Sequence, residues 1–190
     1  MKNSDATTEK NGKKAGAVKS KNSAAKDLRK LFVNQLKDVL WAERASVKAL
    51  PKLANNAENP KLTEAIEQHI TITEDQIKRL ENVFEILGET ARGKKCEAME
   101  GLIKEAESVL EETEQGPVRD AGIIAASQKM EHYEIASYGS LCAFAKTLGE
   151  DEVAGLLGET LAEEKEADRI LTESAYNNIN FEAADEDEQE

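Results

Sequence analysis

The sequence predicts an all-α protein: an antiparallel four-helix bundle with an additional shorter helix in its long connection. Three observations carry that expectation. Apolar residues recur three and four apart through most of the chain, as one face of a helix requires, and no stretch alternates as a half-buried strand would. The composition is rich in Ala, Glu, Lys and Leu, with only 4% aromatic residues and three prolines. Two of those prolines, Pro60 and Pro117, directly follow Asn59 and Gly116, a context that opens helices rather than breaking them.

The first helix begins near residue 27 and places Leu36, Leu40, Val47 and Leu50 on one face. Pro51 lacks an N–H and its ring crowds the carbonyl four residues back, so a kink or an end is expected near Leu50. Asn59-Pro60 opens the second helix. Its stripe runs through Ile66, Ile70, Ile77, Leu80, Phe84 and Leu87 to Gly88. A basic loop, Arg92 to Lys95, leads to a shorter helix over about residues 96–113, apolar at Met99, Leu102, Ile103, Ala106 and Leu110. Gly116-Pro117 opens the next helix, which carries Ile123, Ile124, Ile135, Tyr138, Leu141 and Phe144 and stops near Gly149. The last starts near Glu150 and runs through Val153, Leu156, Leu157, Leu161, Ile170 and Leu171.

The chain repeats itself weakly. Residues 43–53 align with residues 131–141, matching Glu43 to Glu131 and Leu53 to Leu141; the helices that follow align Leu62 with Val153 and Leu80 with Leu171. Two helix pairs joined by one long connection is the topology of ferritin-like bundles.

Charge divides the chain into three parts. The 190 residues carry a net charge of −13. Residues 1–26 hold seven lysines against two acids and almost nothing large and apolar, and so are expected to be a disordered Lys-rich tail. Residues 181–190 hold six acids and no base and are expected to be a disordered acidic tail. The bundle spans residues 27–180, and its acidic surface repels phosphate, which leaves nucleic acid at most weak contact through the lysine tail. No apolar run reaches 18 residues, so no membrane-spanning helix is expected, and MKNSDATTEK lacks the apolar core of a secretory leader. Two cysteines, Cys96 and Cys142, make neither a disulfide framework nor a zinc-finger quartet, which points to the cytoplasm. Cys142 reads as core packing. Cys96, at a helix start beside two lysines, reads as a position that favours a thiolate.

The candidate site rests on polar residues that lie on apolar stripes. Glu43 is in step with Leu36, Leu40, Val47 and Leu50. Glu131 is in step with Ile124, Tyr138 and Ala145, and Glu134 lies on nearly the same face. Glu164 falls between Leu157 and Leu171, with Glu163 adjacent. His69 and Gln76 flank the second stripe, and His69 reaches the core more readily than His132. Buried ionised carboxylates are costly unless paired or bound to a cation, and clustered ones raise one another's pKa. A divalent cation resolves that cost, and carboxylates with imidazole suit iron, manganese or zinc. The Glu-x-x-His pairs of di-iron bundles are absent, since Ile66 and Lys129 stand three residues before the two histidines.

Several strings resemble the YciE/YciF-type stress protein family of the ferritin-like superfamily: KKCEAMEGLI from Lys94, VRDAGIIAASQKMEHYEIASYG from Val118, WAER from Trp41, LPKL from Leu50 and ETLAEEK from Glu159. The resemblance covers about residues 29–180. It implies a rubrerythrin-like fold, a homodimer, a bacterial stress response and, by analogy, a carboxylate metal centre. Matched by position, Glu43 is the first-helix glutamate, Glu131 and Glu134 lie in the fourth-helix motif, and Glu163 and Glu164 form the last-helix cluster. The second helix departs: the family pattern His-Leu-Glu-Glu-Thr is here His69-Ile-Thr-Ile-Thr73, so Thr71 and Ile72 replace two carboxylates. A symmetric dinuclear site loses ligands there; one ion, two ions, zinc in place of iron or manganese, and an empty site all stay open. The expected function is a ferritin-like stress protein with Glu43, His69, Glu131, Glu134, Glu163 and Glu164 as metal ligands and iron or peroxide redox chemistry. The alternative is a metal-free dimeric bundle that acts through partners.

Overall fold

The computed structural model describes residue 18 and residues 20–186. Most of the Lys-rich tail and residues 187–190 lie outside the described residues. Among the described residues there is no strand, and the helices are α1 (Leu28–Ala54), α2 (Pro60–Ile86), α3 (Glu97–Glu112), α4 (Pro117–Leu148), α5 (Asp151–Ser174) and α6 (Asn180–Glu186), with a π-helical turn over Ala175–Ile179 between the last two.

Local chemistry sets the boundaries. Asp27 caps α1 by accepting from Lys30 N at 2.7 Å, and Asn59 caps α2 by accepting from Lys61 N at 3.0 Å. Pro60 and Pro117 occupy first-turn positions, where the missing N–H costs nothing. Gly149 ends α4 in the left-handed conformation (φ 75°), which a residue with a Cβ adopts only with strain. Gly122 has a different role. A Cβ there would meet Val109 Cγ1 at 2.6 Å, so the missing side chain is what lets α3 and α4 approach.

Two boundaries differ from the sequence expectation. α1 passes through Pro51 to Ala54. Only three residues follow the proline, and two of them, Leu53 and Ala54, are buried, so core packing offsets the lost hydrogen bond. At the other end, residues 180–186 are helical although the sequence assigns 181–186 to the acidic tail. The turn before α6 buries Ala175 and Ile179 against the core, and α6 packs on α4.

The four long helices form a ferritin-like bundle in which α1 pairs with α2 and α4 pairs with α5, and α3 lies in the connection, packed on α4 and α1. One apolar cluster joins Phe32, Leu36, Leu80, Phe84, Leu141 and Leu157. A second joins Leu50, Leu62, Ile66, Ile123, Ile124 and Leu171. A third, of Ala42, Cys96, Met99 and Met130, docks α3. Each large side chain buried in these clusters contributes about 1.5–3 kcal/mol. α1 and α5 run from the first cluster to the second, and α2 and α4 run back, so neighbouring helices are antiparallel.

Candidate metal centre

On each long helix the inward positions change from apolar to polar and back. α1 gives Glu43 and Ser46 between Leu40 and Leu50; α2 gives His69, Thr73 and Gln76 between Ile66 and Leu80. α4 gives Ser127, Glu131 and Glu134 between Ile124 and Tyr138; α5 gives Thr160 and Glu164 between Leu157 and Leu171. Because the helices run in alternating directions, these polar segments meet at one level, between the two main apolar clusters. Each of the ten residues is 8% exposed or less.

His69, Glu131, Glu134 and Glu164 each offer one ligand atom, and these four atoms lie within 4.8 Å of one another. His69 Nε2 is 3.3 Å from Glu131 Oε1 and 3.8 Å from Glu164 Oε2. Glu43 stands beside the group, close enough that its charge acts on Glu131 and Glu134. Its Oε1 accepts from Tyr138 Oη at 2.6 Å. Glu163 points elsewhere. Arg79 binds it through Nη1 and Nη2, at 2.7 and 2.8 Å, and Gln76 Nε2 donates to it at 3.2 Å. His132 is on the surface, its side chain 69% exposed and 3.2 Å from Asp168 Oδ1.

Electrostatics follow burial. Desolvation, then the neighbouring carboxylates, raise the pKa of Glu43, Glu131 and Glu134 well above the usual range. Burial raises Glu164 to about 7 and lowers His69 to about 4, which leaves the imidazole neutral at physiological pH. Among the described residues, Glu43 Oε2, His69 Nδ1, Glu131 Oε2, Glu134 Oε1 and both oxygens of Glu164 have no hydrogen-bond partner. Native interiors rarely leave such atoms bare, because each costs about 1–3 kcal/mol. A donor set of one neutral imidazole and three carboxylates, buried and unpartnered, fits a divalent transition-metal ion.

The layer also shows how the site departs from a symmetric di-iron centre, and the departure is not at Thr71 and Ile72, which are exposed and lie outside the layer, but at buried Thr73 and Gln76. In the repeat, Thr73-x-x-Gln76 on α2 stands opposite Glu164-x-x-Ala167 on α5, the positions where di-iron bundles carry Glu-x-x-His. His69, one turn before Thr73, supplies the imidazole instead, and Thr73 Oγ1 donates back to its carbonyl at 2.9 Å.

Arg79 and Thr160 escape the sequence reading. Arg79 Nη1 also donates to Thr160 Oγ1 at 2.7 Å, a second tie between α2 and α5. A signal exists: Arg79 lies three residues after Gln76 on the same face. Cys96 differs from expectation. It is buried, its Sγ accepts from Met99 N and donates to Tyr133 Oη at 3.1 Å, and burial raises its thiol pKa, so the neighbouring lysines do not yield a thiolate. Among the described residues no helix is long and apolar enough to cross a membrane.

Residues 27–184 match the family model described as "Domain of unknown function (DUF892)". The chain is 47% identical to protein YciF of Escherichia coli (strain K12) over 159 residues, 83% of this chain and 96% of YciF. The crystal structure of the E. coli stress protein YciF superposes with a TM-score of 0.79, covering 82% of this chain and 99% of that one. YcfI from Rhodopseudomonas palustris is 39% identical, with a TM-score of 0.77 over 82% of this chain and 98% of its own. A protein from Xanthomonas campestris pv. campestris is 25% identical, with a TM-score of 0.67 over 84% of this chain and 98% of its own.

Proposed function

The chain belongs to the DUF892 family, and on that premise we propose that it is a ferritin-like stress protein that binds a transition-metal ion in the polar layer of its bundle. The observation that carries this reading is the set of four buried ligand atoms within 4.8 Å, on His69, Glu131, Glu134 and Glu164. One ion suits this set better than two, because Thr73 and Gln76 withdraw ligands from the α2 side. Glu43 stays with Tyr138 as an adjacent carboxylate, and Glu163 stays with Arg79. Iron or manganese bound there supplies one-electron redox chemistry toward dioxygen or peroxide, whereas zinc supplies none. The protein's own part is to hold the imidazole neutral, keep three carboxylates converging and exclude water above and below with the two apolar clusters. A cytoplasmic homodimer is the setting that the family resemblance implies.

Thr73, Gln76 and Ala167, standing where ligands are expected, favour a second reading, a metal-free bundle that acts through partners. Elemental analysis of purified protein after expression with added iron or manganese separates the two. The metal reading expects about one ion per chain, loss of it in Glu131→Gln, and retention in Glu163→Gln. Metal-free protein from every preparation, or equal content in all three proteins, overturns it.

A further inference from the structure

A cleft of about 310 Å³ runs between α2 and α5 toward the polar layer. Ala65, Ile66 and Ile72 line it from α2, and Ala162, Ala167 and Ile170 from α5. Ser127, His69 and Glu131, each more than nine-tenths buried, also line it. Among the described residues Ser127 Oγ, His69 Nδ1 and Glu131 Oε2 have no hydrogen-bond partner. Ala167 holds the position where a di-iron bundle carries an imidazole, and its single methyl leaves room there. The cleft therefore combines apolar walls with a few unsatisfied polar atoms, the usual make-up of a small-molecule site, at the small end of the size range.

We infer that this cleft binds a short linear aliphatic molecule with a neutral hydroxyl head, the chain between the α2 and α5 alanines and isoleucines and the head on Ser127 and Glu131. A cleft this small, walled by alanine, isoleucine and leucine side chains, suits an unbranched chain. The head is fixed by donor and acceptor balance. A hydroxyl both donates and accepts, so one group serves the serine hydroxyl and the glutamate together. A carboxylate head would meet the Glu131 carboxyl inside, and among the described residues no lysine or arginine lines the cleft to receive it. An ammonium head only donates and leaves the serine donor without an acceptor. The inference goes beyond the metal reading, because Ser127 and the α5 wall are not among the proposed ligands.

The test titrates the full chain, chelator-treated and manganese-loaded, with 1-hexanol, hexanoate and hexylammonium, following Ile and Ala methyl signals by NMR. Saturable 1-hexanol binding in the chelator-treated protein, shifting Ile72, Ile170 and Ala167, is the expected result, with both charged analogues at least about tenfold weaker. Ala167→Leu, which fills the cleft, should weaken 1-hexanol about tenfold or more. Ser127→Ala should weaken it about fivefold. Ala162→Leu, at the exposed rim, repeats the first test if Ala167→Leu fails to fold. Absent binding, unchanged affinity in the filled variants, or equal binding of a charged analogue overturns the inference. So does a dimer that excludes 1-hexanol and dissociates in Ile72→Asp, since the cleft would then be covered by a second copy. Because binding is read without metal, its failure leaves the metal reading standing, and failure of metal uptake leaves this one standing.

Discussion

Tyr138 Oη donates to Glu43 Oε1 at 2.6 Å, and both side chains are fully shielded from solvent. The contact ties α4 to α1 at the edge of the polar layer and gives one of its carboxylates a partner. Tyr138→Phe removes the donor and keeps the ring, so Glu43 has both oxygens bare. A buried acceptor left this way costs about 1–3 kcal/mol, and each kcal/mol lowers the melting temperature of a chain this size by about 2–4 °C. A thermal melt of the variant should fall by several degrees. A melt equal to the parent's would mean that the bond contributes nothing to the fold.

The polar layer makes the metal-free protein sensitive to pH in an unusual direction. Glu43, Glu131, Glu134 and Glu164 have folded pKa values above their unfolded ones, so the folded state holds protons that the unfolded state releases. Their stabilising effect is complete below the unfolded value near 4.5 and is lost as pH rises through the folded values, about 7 for Glu164. His69 works in the opposite sense between about 4 and 6.5, but it is one group against four. Chelator-treated protein should therefore melt lower at pH 8 than at pH 5.5. Metal ligands must shed their protons, so saturating manganese should raise the melting temperature more at pH 8 than at pH 5.5. A chelator-treated melt that does not fall between pH 5.5 and pH 8 would contradict the first half of the account, and identical profiles with and without manganese would contradict the second.

Asp120 provides a control that touches the fold and leaves the site alone. It is buried on α4, and its two oxygens accept from Glu58 N at 2.9 Å and Asn59 N at 2.7 Å, fixing the start of α2. Asp120→Ala should cost about 2 kcal/mol or more, visible in urea unfolding. Its metal content should equal the parent's. Unchanged stability would show that the α2 start needs no partner from α4.

Much of this arrangement is legible in the sequence, for a definite reason. Helical periodicity fixes which way a side chain faces, and Glu43, Glu131, Glu134 and Glu164 fall on stripes whose other members are core residues. The same logic stops short at Glu163. It is about 100° around the helix from Glu164, and its fate depends on Arg79 from α2, a partner 84 positions away in the chain that no local pattern identifies. Pro51 and the helix to Glu186 illustrate a second limit. Propensity argues for a kink or an end at the first and charge for a disordered tail at the second, and with Leu53, Ala54 and Ile179 buried the chain stays helical through both. Cys96 illustrates a third, since the lysines beside it in sequence do not reveal that the thiol is turned inward.

The most direct measurement is anomalous diffraction at the manganese or iron edge on crystals of the metal-treated protein. The account predicts one strong peak per chain within coordination distance of His69, Glu131, Glu134 and Glu164, about 2.0–2.2 Å from their ligand atoms by analogy with other first-row sites. A map with no peak in the polar layer, or with its peak on acids outside it such as Asp168 beside His132, would contradict it.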